Sequence, residues 1–403
     1  MKSKQRISII GTVGLPAKYG GFETLTDHLV SQLSEEHDIT VYCSKKKYSK
    51  EERISTYKGA KLKYINLDAN GIQSIPYDSI SILRSLFHSD ILLILGVAGA
   101  WMLPFVKLFT RKKIIISIDG IEWKREKWST LAKLYLRWAE KMAVKFSHAD
   151  ISDNESIQDY TAMRYGTISR VIEYGADHTM KVTPETVDVQ NYPFLNLDYA
   201  FKVCRIEPEN NVHVVLEAFA KMPKKLLVMV GNWEANSYGK KLKAKYSKNK
   251  NLLLFDPIYN QRTIDMLRGN ASLYIHGHTA GGTNPSLVEA MYLGLPIISY
   301  NVSYNKTTTE NRALYFKTEK ELIELVSGTS VHALSYIADQ MGDIAQRRYN
   351  WSLIAKKYNR LFHEVLAQEK KQRISPISED IEDELLEEYG ASHLRTARLI
   401  FEK

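Results

Sequence analysis

Apolar residues fall along this chain in two recurring patterns. Short runs rich in isoleucine, leucine and valine occur at 7–10, 39–43, 62–65, 91–95, 114–118, 149–152 and 170–172. Each predicts a strand, and most are separated by longer segments with helical spacing. The series restarts at 199–203 and continues at 226–230, 252–255, 273–276 and 297–300. Strands alternating with helices predict a parallel sheet covered on both faces, and two successive series predict two Rossmann-like, doubly wound α/β domains. A Pro- and Asn-containing stretch at 183–197 lies near the join. The expected division is therefore 1–182 and 183–368, with the last helix able to cross back to the first domain, and a charged tail at 369–403.

The second domain is organised around residues 276–300, HGHTAGGTNPSLVEAMYLGLPIISY. A strand ends near Ile275 and the chain turns through Thr279, Ala280, Gly281, Gly282 and Thr283. Asn284 then reads as a helix N-cap, with Pro285 at the first helical position, where its missing N–H costs nothing. The helix is predicted over 286–293, stopped by Gly294 with Pro296 just beyond. Two glycines without Cβ, followed by free helical N–H groups, form a cradle for an anionic oxygen. On the second turn Glu289 offers a carboxylate that can accept hydrogen bonds from sugar hydroxyls. The plain alternative is an ordinary strand–loop–helix of an α/β domain.

The first domain opens in a related way. After strand 7–10 comes GTVGLPAKYGGFETLTDHLVSQL, in which Gly11 and Gly14 open a turn, Pro16 limits it, and Gly20 and Gly21 sit just before a helix. This is the phosphate-approach geometry of doubly wound sheets, although the dinucleotide fingerprint GxGxxG is absent. Residues 123–148 read as one long helix. Leu131, Leu134, Tyr135, Trp138, Met142 and Phe146 form an apolar stripe, and Lys133, Arg137, Lys141 and Lys145 a basic one. That pattern fits a helix packed on the sheet with a solvated basic face, or a face that leans on an anionic membrane surface. Both can hold at once.

Composition changes the picture only modestly. The 403 residues carry a formal charge of +9, which favours anionic partners such as nucleotides, pyrophosphates or lipid headgroups without choosing among them. An acidic block at 379–388 gives the tail the opposite sign. Two cysteines, Cys43 and Cys204, argue against a disulfide framework and suit a reducing cytoplasm. The apolar run at 7–10 is too short for a signal-peptide core. The longest uncharged run, 91–106, is interrupted by Gly96, Gly99 and Pro104, so it reads as a buried strand leading to a loop and helix rather than a membrane span. No helix-turn-helix, zinc-finger or RNA-module signature appears, which disfavours a nucleic-acid partner. No DxD triplet occurs. His276 and His278 alternate on a strand end with no third ligand in view, so no metal site is expected.

Six stretches, in order, resemble the family-4 glycosyltransferases of the GT-B fold: GTVGLPAKYGGFE (11–23), SIDGIEWKREKW (117–128), ADISDNESI (149–157), VIEYGAD (171–177), CRIEPENN (204–211) and GGTNPSLVEAM (281–291). More narrowly, the GLPAKYGGFET loop is similar to that of a bacterial rhamnosyltransferase-like branch. The resemblance implies two Rossmann-like domains facing across a cleft, and metal-independent, retaining transfer of a sugar from a nucleoside diphosphate to a hydroxyl. No cofactor is implied. The donor the resemblance implies is dTDP-linked L-rhamnose, and the acceptor a lipid-linked glycan in surface polysaccharide synthesis. A cytoplasmic protein, peripheral at the inner face of the cell membrane, follows from that. The competing readings are a catalytically weak nucleotide-sugar-binding scaffold and a transferase using another donor, such as a UDP-hexose.

By the same resemblance, Arg205 contacts the diphosphate, for which paired guanidinium hydrogen bonds are well suited. Glu289 matches the second of a pair of glutamates and holds the nucleotide ribose. Gly281, Gly282, Thr283, Asn284, Ser286 and Leu287 line the donor site, and Gly20 and Gly21 approach the diphosphate and sugar from the first domain. Asp119 stands where many relatives carry a histidine, as a hydroxyl ligand or a base toward the acceptor, with Glu122 as its rival. The plain readings are a surface ion pair for Arg205, a dipole-favoured helix glutamate for Glu289 and a turn aspartate for Asp119. Three positions depart from the wider family: Gly281 replaces the first glutamate, Asn211 a lysine, and Asp119 the histidine. The expected outcome is a site short of one cation and one carboxylate.

Overall fold

The computed structural model describes residues 4–18, 20–118, 120–125, 128–367 and 371. The chain divides into two compact units, one ending at Glu173 and resuming at Trp351, the other Tyr174–Asn350. The break falls between Glu173 and Tyr174, ahead of residue 182, because the residues just after it bond within the second unit. The Ala176 N–H donates to the Tyr349 carbonyl at 2.7 Å, and the Met180 N–H to Asp265 Oδ2 at 3.2 Å.

Among the described residues the first unit holds eight strands: β1 Gln5–Ile10, β2 His37–Ser44, β3 Thr56–Tyr57, β4 Ala60–Ile65, β5 Ile91–Leu95, β6 Lys113–Ile118, β7 Ala149–Ser152 and β8 Arg170–Val171. Their order is β3-β4-β2-β1-β5-β6-β7-β8, and every pairing is parallel except the short β3 against β4. The run ILLIL of β5 is buried throughout, as expected of a central parallel strand with both faces covered. The sheet grows one way from β1 through β2 and the other way through β5. The β1/β5 boundary is thus a switch point, outside whose carboxyl ends ligands of such sheets gather.

The last described helix, Trp351–Ala367, belongs to this first unit. Its buried residues Trp351, Ile354, Ala355, Tyr358, Leu361, Phe362 and Val365 repeat at helical spacing, and it packs on the helix Gly21–Leu33. His28 stacks on Trp351 with ring centroids 4.2 Å apart, and Arg170 pairs with Glu364 at 2.8 Å. Of the tail, Lys371 is described. Its ammonium donates to the Val144 carbonyl at 2.7 Å and pairs with the fully buried Asp150.

The helix expected over 123–148 begins later. Residues Glu122–Lys124 form a 3₁₀ turn, and the α-helix runs Thr130–Phe146, capped by Ser129, whose hydroxyl accepts the Ala132 N–H. Its buried face is small and partly polar: Ala139, Glu140, Ala143 and Val144. The large apolar residues Leu131, Leu134 and Trp138 are exposed instead of packing on the sheet, because close approach is made through the two alanines on another face.

The second unit holds β9 Tyr199–Val203, β10 Leu226–Val230, β11 Leu252–Phe255, β12 Leu273–His276, β13 Ile297–Tyr300 and β14 Leu314–Phe316, the last of which the sequence pattern did not mark. The order is β11-β10-β9-β12-β13-β14, all parallel, with the switch point between β9 and β12. On one face Ala200 and Ile275 join a core of Val215, Phe219, Met229, Trp233 and Phe316. On the other, Phe201 and Tyr274 lie with ring centroids 6.5 Å apart.

Candidate functional site: the carboxyl edge of β9 and β12

Arg205 stands two residues beyond the carboxyl end of β9 and is exposed. The loop that carries it is firmly built. Asn232 Oδ1 accepts the Ile206 N–H at 2.7 Å, and Asn210 Nδ2 donates to the Arg205 carbonyl at 2.8 Å. Asn211, left-handed at φ 48°, opens the helix Val212–Ala220. Two contacts tie this loop to the one after β12: Asn211 Nδ2 donates to the Gly277 carbonyl at 2.8 Å, and His278 Nδ1 meets Asn210 Oδ1 at 2.6 Å. The Thr279 N–H and hydroxyl both donate to the Glu209 carbonyl, at 2.9 and 2.8 Å. Arg205 and the loop 277–283 therefore share one sheet edge, at the switch point.

The helix that follows runs Pro285–Tyr292, with Asn284 as N-cap: its Oδ1 accepts the Ser286 N–H at 3.1 Å and the Ser286 hydroxyl at 2.7 Å. Gly294, at φ 69°, lies just past its end, as the sequence predicts. Gly281 has φ 121°, a conformation L side chains rarely adopt, and a Cβ there would lie 3.2 Å from His278 Nε2. Among the described residues the N–H groups of Gly281, Gly282 and Asn284 have no hydrogen-bond acceptor, so they are available to an anion. Ser286 and Leu287 are not: the Ser286 N–H is taken by the cap, and the Leu287 N–H donates to the Asn284 carbonyl while its side chain is fully buried. Thr283 is also buried.

Glu289 sits in a buried chain of charge that sequence reading missed. Arg268, on the helix Gln261–Gly269 and 1% exposed, donates one guanidinium nitrogen to Glu289 Oε2 and another to Asp265 Oδ1 at 3.0 Å. His178 Nε2 lies 3.3 Å from Glu289 Oε1. Burial by itself would raise the Glu289 pKa, but Arg268 and then His178 outweigh it and hold the carboxyl below its usual range. The available hint was a charged pair, Asp265 and Arg268, inside the otherwise apolar stretch DMLRGNASLYI.

In the first unit Gly20, at φ 135°, is the N-cap of the helix Gly21–Leu33, so Gly21 is the first helical residue rather than part of the turn before it. Glu23 ties that helix to the loop after β1: its Oε1 accepts the Val13 N–H at 2.6 Å and the Thr12 hydroxyl at 3.0 Å. A Cβ on Gly11 would come within 2.1 Å of the Leu95 carbonyl, which accounts for glycine at the β1/β5 crossing. Glu122 has both carboxylate oxygens engaged, by Trp128 Nε1 at 3.0 Å and Arg125 Nε at 2.9 Å. Trp123 is clamped as well, its Nε1 donating to Tyr160 and its ring lying under Arg137 and Arg164. Asp119 lies outside the described residues. Among the described residues no cluster of three His, Cys, Asp or Glu is placed to hold a metal ion.

Two family models match this chain. Residues 4–177 match a domain of unknown function (DUF1972), and residues 188–326 match the glycosyl transferases group 1. The chain carries a group 1 glycosyltransferase domain. Among solved structures, this glycosyltransferase is similar to sucrose-phosphate synthase from Thermosynechococcus elongatus, with a TM-score of 0.75, 13% identity, and 90% of this chain and 100% of that one covered. It is also similar to HepE of Anabaena in complex with UDP and glucose, with a TM-score of 0.69, 14% identity and coverage of 90% and 100%. A glycosyltransferase from Rickettsia africae gives 0.69, 15%, 91% and 99%. At these identities the likeness establishes the fold, which is GT-B, with two mostly parallel sheets. None of the curated proteins matches in sequence.

Proposed function

We propose that this glycosyltransferase moves a sugar from a nucleoside diphosphate to a hydroxyl acceptor carried at an anionic membrane surface. The observation that carries the reading is that the loop bearing Arg205 and the N–H groups of Gly281, Gly282 and Asn284, without an acceptor among the described residues, lie on one sheet edge at the β9/β12 switch point. In transfer the bond from C1 to the diphosphate oxygen breaks, the acceptor oxygen bonds to C1, and the acceptor proton passes to the departing diphosphate. Negative charge grows on the departing diphosphate, where a guanidinium and backbone N–H dipoles already in place stabilise it. HepE, of like fold, holds UDP and glucose, which supports a nucleotide-linked sugar as the donor class. Within that class we favour dTDP-linked L-rhamnose with retention of configuration, on the strength of the GLPAKYGGFET loop.

The membrane part rests on one surface of the first unit. The helix Leu103–Phe109 packs on Thr130–Phe146. Together they expose Phe105, Leu108, Phe109, Leu131, Leu134 and Trp138, with Leu108 and Phe109 at 75% and Leu131 at 80%. Lys107, Lys133, Arg137, Lys141 and Lys145 lie on the same two helices, and Arg111 and Lys112 follow the first of them. Exposed aromatic and aliphatic side chains among cations suit an interface of acyl chains below anionic headgroups. Among the described residues no helix is long and apolar enough to cross a membrane. A lipid-linked glycan as acceptor, and a place at the inner face of the cell membrane in surface polysaccharide synthesis, follow from that reading.

The second reading, a nucleotide-sugar-binding scaffold with weak catalysis, is favoured by one observation: Glu289 is already held by Arg268 and His178. Release of nucleoside diphosphate from a panel of UDP-, dTDP- and GDP-sugars, with and without membrane extract, separates the two. Acceptor-dependent release from one donor is the expected result. Binding without turnover would favour the scaffold, and no binding of any nucleotide would remove both.

A further inference from the structure

Lys202 is the penultimate residue of β9 and is 1% exposed, among the largest fully buried side chains of the chain. Among the described residues its ammonium makes no hydrogen bond and no ion pair. A buried lysine is ordinarily paired, since an ammonium without a partner bears the loss of its hydration uncompensated. Burial accordingly pushes its pKa below the usual lysine value.

The direction of the side chain follows from the register. Leu273 lies beside Ala200 and Tyr274 beside Phe201, which puts Lys202 level with Ile275. Its Nζ nevertheless sits 2.9 Å from where a Cβ on Gly277 would be, a point that is also 2.3 Å from the Asn210 carbonyl oxygen. The side chain therefore runs along the strand, about two residues or 6.6 Å toward the carboxyl edge. It ends between the two loops that carry Arg205 and Gly281. Gly277 leaves the space it needs, and Asn211, bonded to the Gly277 carbonyl, stands above without charge.

We infer that Lys202 is a buried cation of the anion site, contributing its charge to the diphosphate of the nucleotide donor from beneath the loops after β9 and β12. The inference rests on the donor reading above. It gives the site a second positive group where position 211 offers none. Charge held in a water-poor setting acts more strongly on an arriving anion than the same charge in water.

The test compares Lys202→Met, similar in length and uncharged, with the wild-type chain, using UDP, dTDP and GDP and the matching free nucleosides in calorimetric titrations. The variant should melt at or above the wild-type temperature, because an unpaired buried charge has been removed. Its affinity for the preferred nucleoside diphosphate should fall about ten- to a hundredfold, as for a charge-assisted hydrogen bond, while its affinity for the nucleoside is unchanged. Unaltered diphosphate affinity would overturn the inference and leave the donor reading standing. Equal losses for diphosphate and nucleoside, or a loss that follows a lower melting temperature, would make Lys202 structural and overturn it too. A wild-type chain that binds none of the three would bring down the donor reading and, with it, this inference.

Discussion

Arg268 and Glu289 form an ion pair inside the unit Tyr174–Asn350, with the guanidinium 1% exposed and Asp265 bound to its other edge. Removing one partner of such a pair leaves a buried charge short of compensation, at a cost of roughly 3–5 kcal/mol. Glu289→Gln should therefore lower the melting temperature in the absence of nucleotide, besides any loss of binding. The sign with pH is fixed by the carboxyl's depressed pKa in the folded chain. Such a group stabilises fully above its unfolded value, about 4.5, and loses that contribution as pH falls through the folded one. The wild-type advantage over Glu289→Gln should be full at pH 7 and shrink below about 4.5. An advantage of the same size at pH 7 and at pH 3.5 would contradict the pairing.

Arg205 is exposed, on a loop held by hydrogen bonds from the Ile206 N–H to Asn232 and from Asn210 to the Arg205 carbonyl. Arg205→Ala should cost no more than about 1 kcal/mol of stability, the range of an exposed polar contact. Turnover should drop on the order of a hundredfold if the guanidinium meets charge as it develops on the leaving group. Melting curves and rates of nucleotide release measured together check both. A variant with full turnover would move the diphosphate away from β9.

The exposed surface of Leu103–Phe109 and Thr130–Phe146 makes a two-part prediction. Charge reversal at Lys133, Arg137 and Lys141 should release the protein from vesicles of anionic lipid, each cation being worth about 1 kcal/mol near such a surface. Leu131→Ser with Leu134→Ser should weaken binding to the same vesicles while leaving the fold intact, since both side chains are exposed. Co-sedimentation measures both. Unchanged sedimentation of the charge-reversed protein would exclude an electrostatic lipid surface.

Asp78 gives a stability prediction in the first unit. The residue is 3% exposed, its Cβ lies 2.7 Å from where a Cβ on Gly99 would be, and among the described residues one carboxyl oxygen has no hydrogen bond. Burial pushes its pKa up to about 8 from 3.8, against a smaller opposing effect of the Gly99 backbone. A group raised in this way contributes stability that is full below the unfolded pKa and lost as pH rises through the folded one. Asp78→Asn, which cannot ionise, should be more stable than wild type at pH 7, by on the order of 2–4 kcal/mol, and should lose that advantage near pH 4. Melting temperatures across that range check it. A variant less stable than wild type at pH 7 would contradict it.

Much of the scaffold could be read directly. Strands at 149–152, 199–203, 226–230, 252–255, 273–276 and 297–300 have the bounds their apolar runs predict. The helix after Asn284 was legible because capping chemistry is local: an asparagine, a proline and a terminal glycine within eleven residues. Leu314–Phe316 escaped because three residues carry no period, and the helix expected from 123 starts at 130 because the Ser129 cap overrides the apolar spacing upstream. The site was readable where it is made of loop residues near one another in sequence. Arg268, His178 and Lys202 were not, since their meaning depends on partners brought together, or withheld, by packing across the sheet.

A nucleoside diphosphate seated at the carboxyl edge of β9 and β12 is the central claim. A crystal structure of the chain with whichever of UDP, dTDP or GDP stabilises it most tests this directly. The diphosphate oxygens should lie within hydrogen-bond distance of the Arg205 guanidinium and of at least one N–H among Gly281, Gly282 and Asn284. A nucleotide bound elsewhere, with that edge closed by the protein's own side chains, would contradict it.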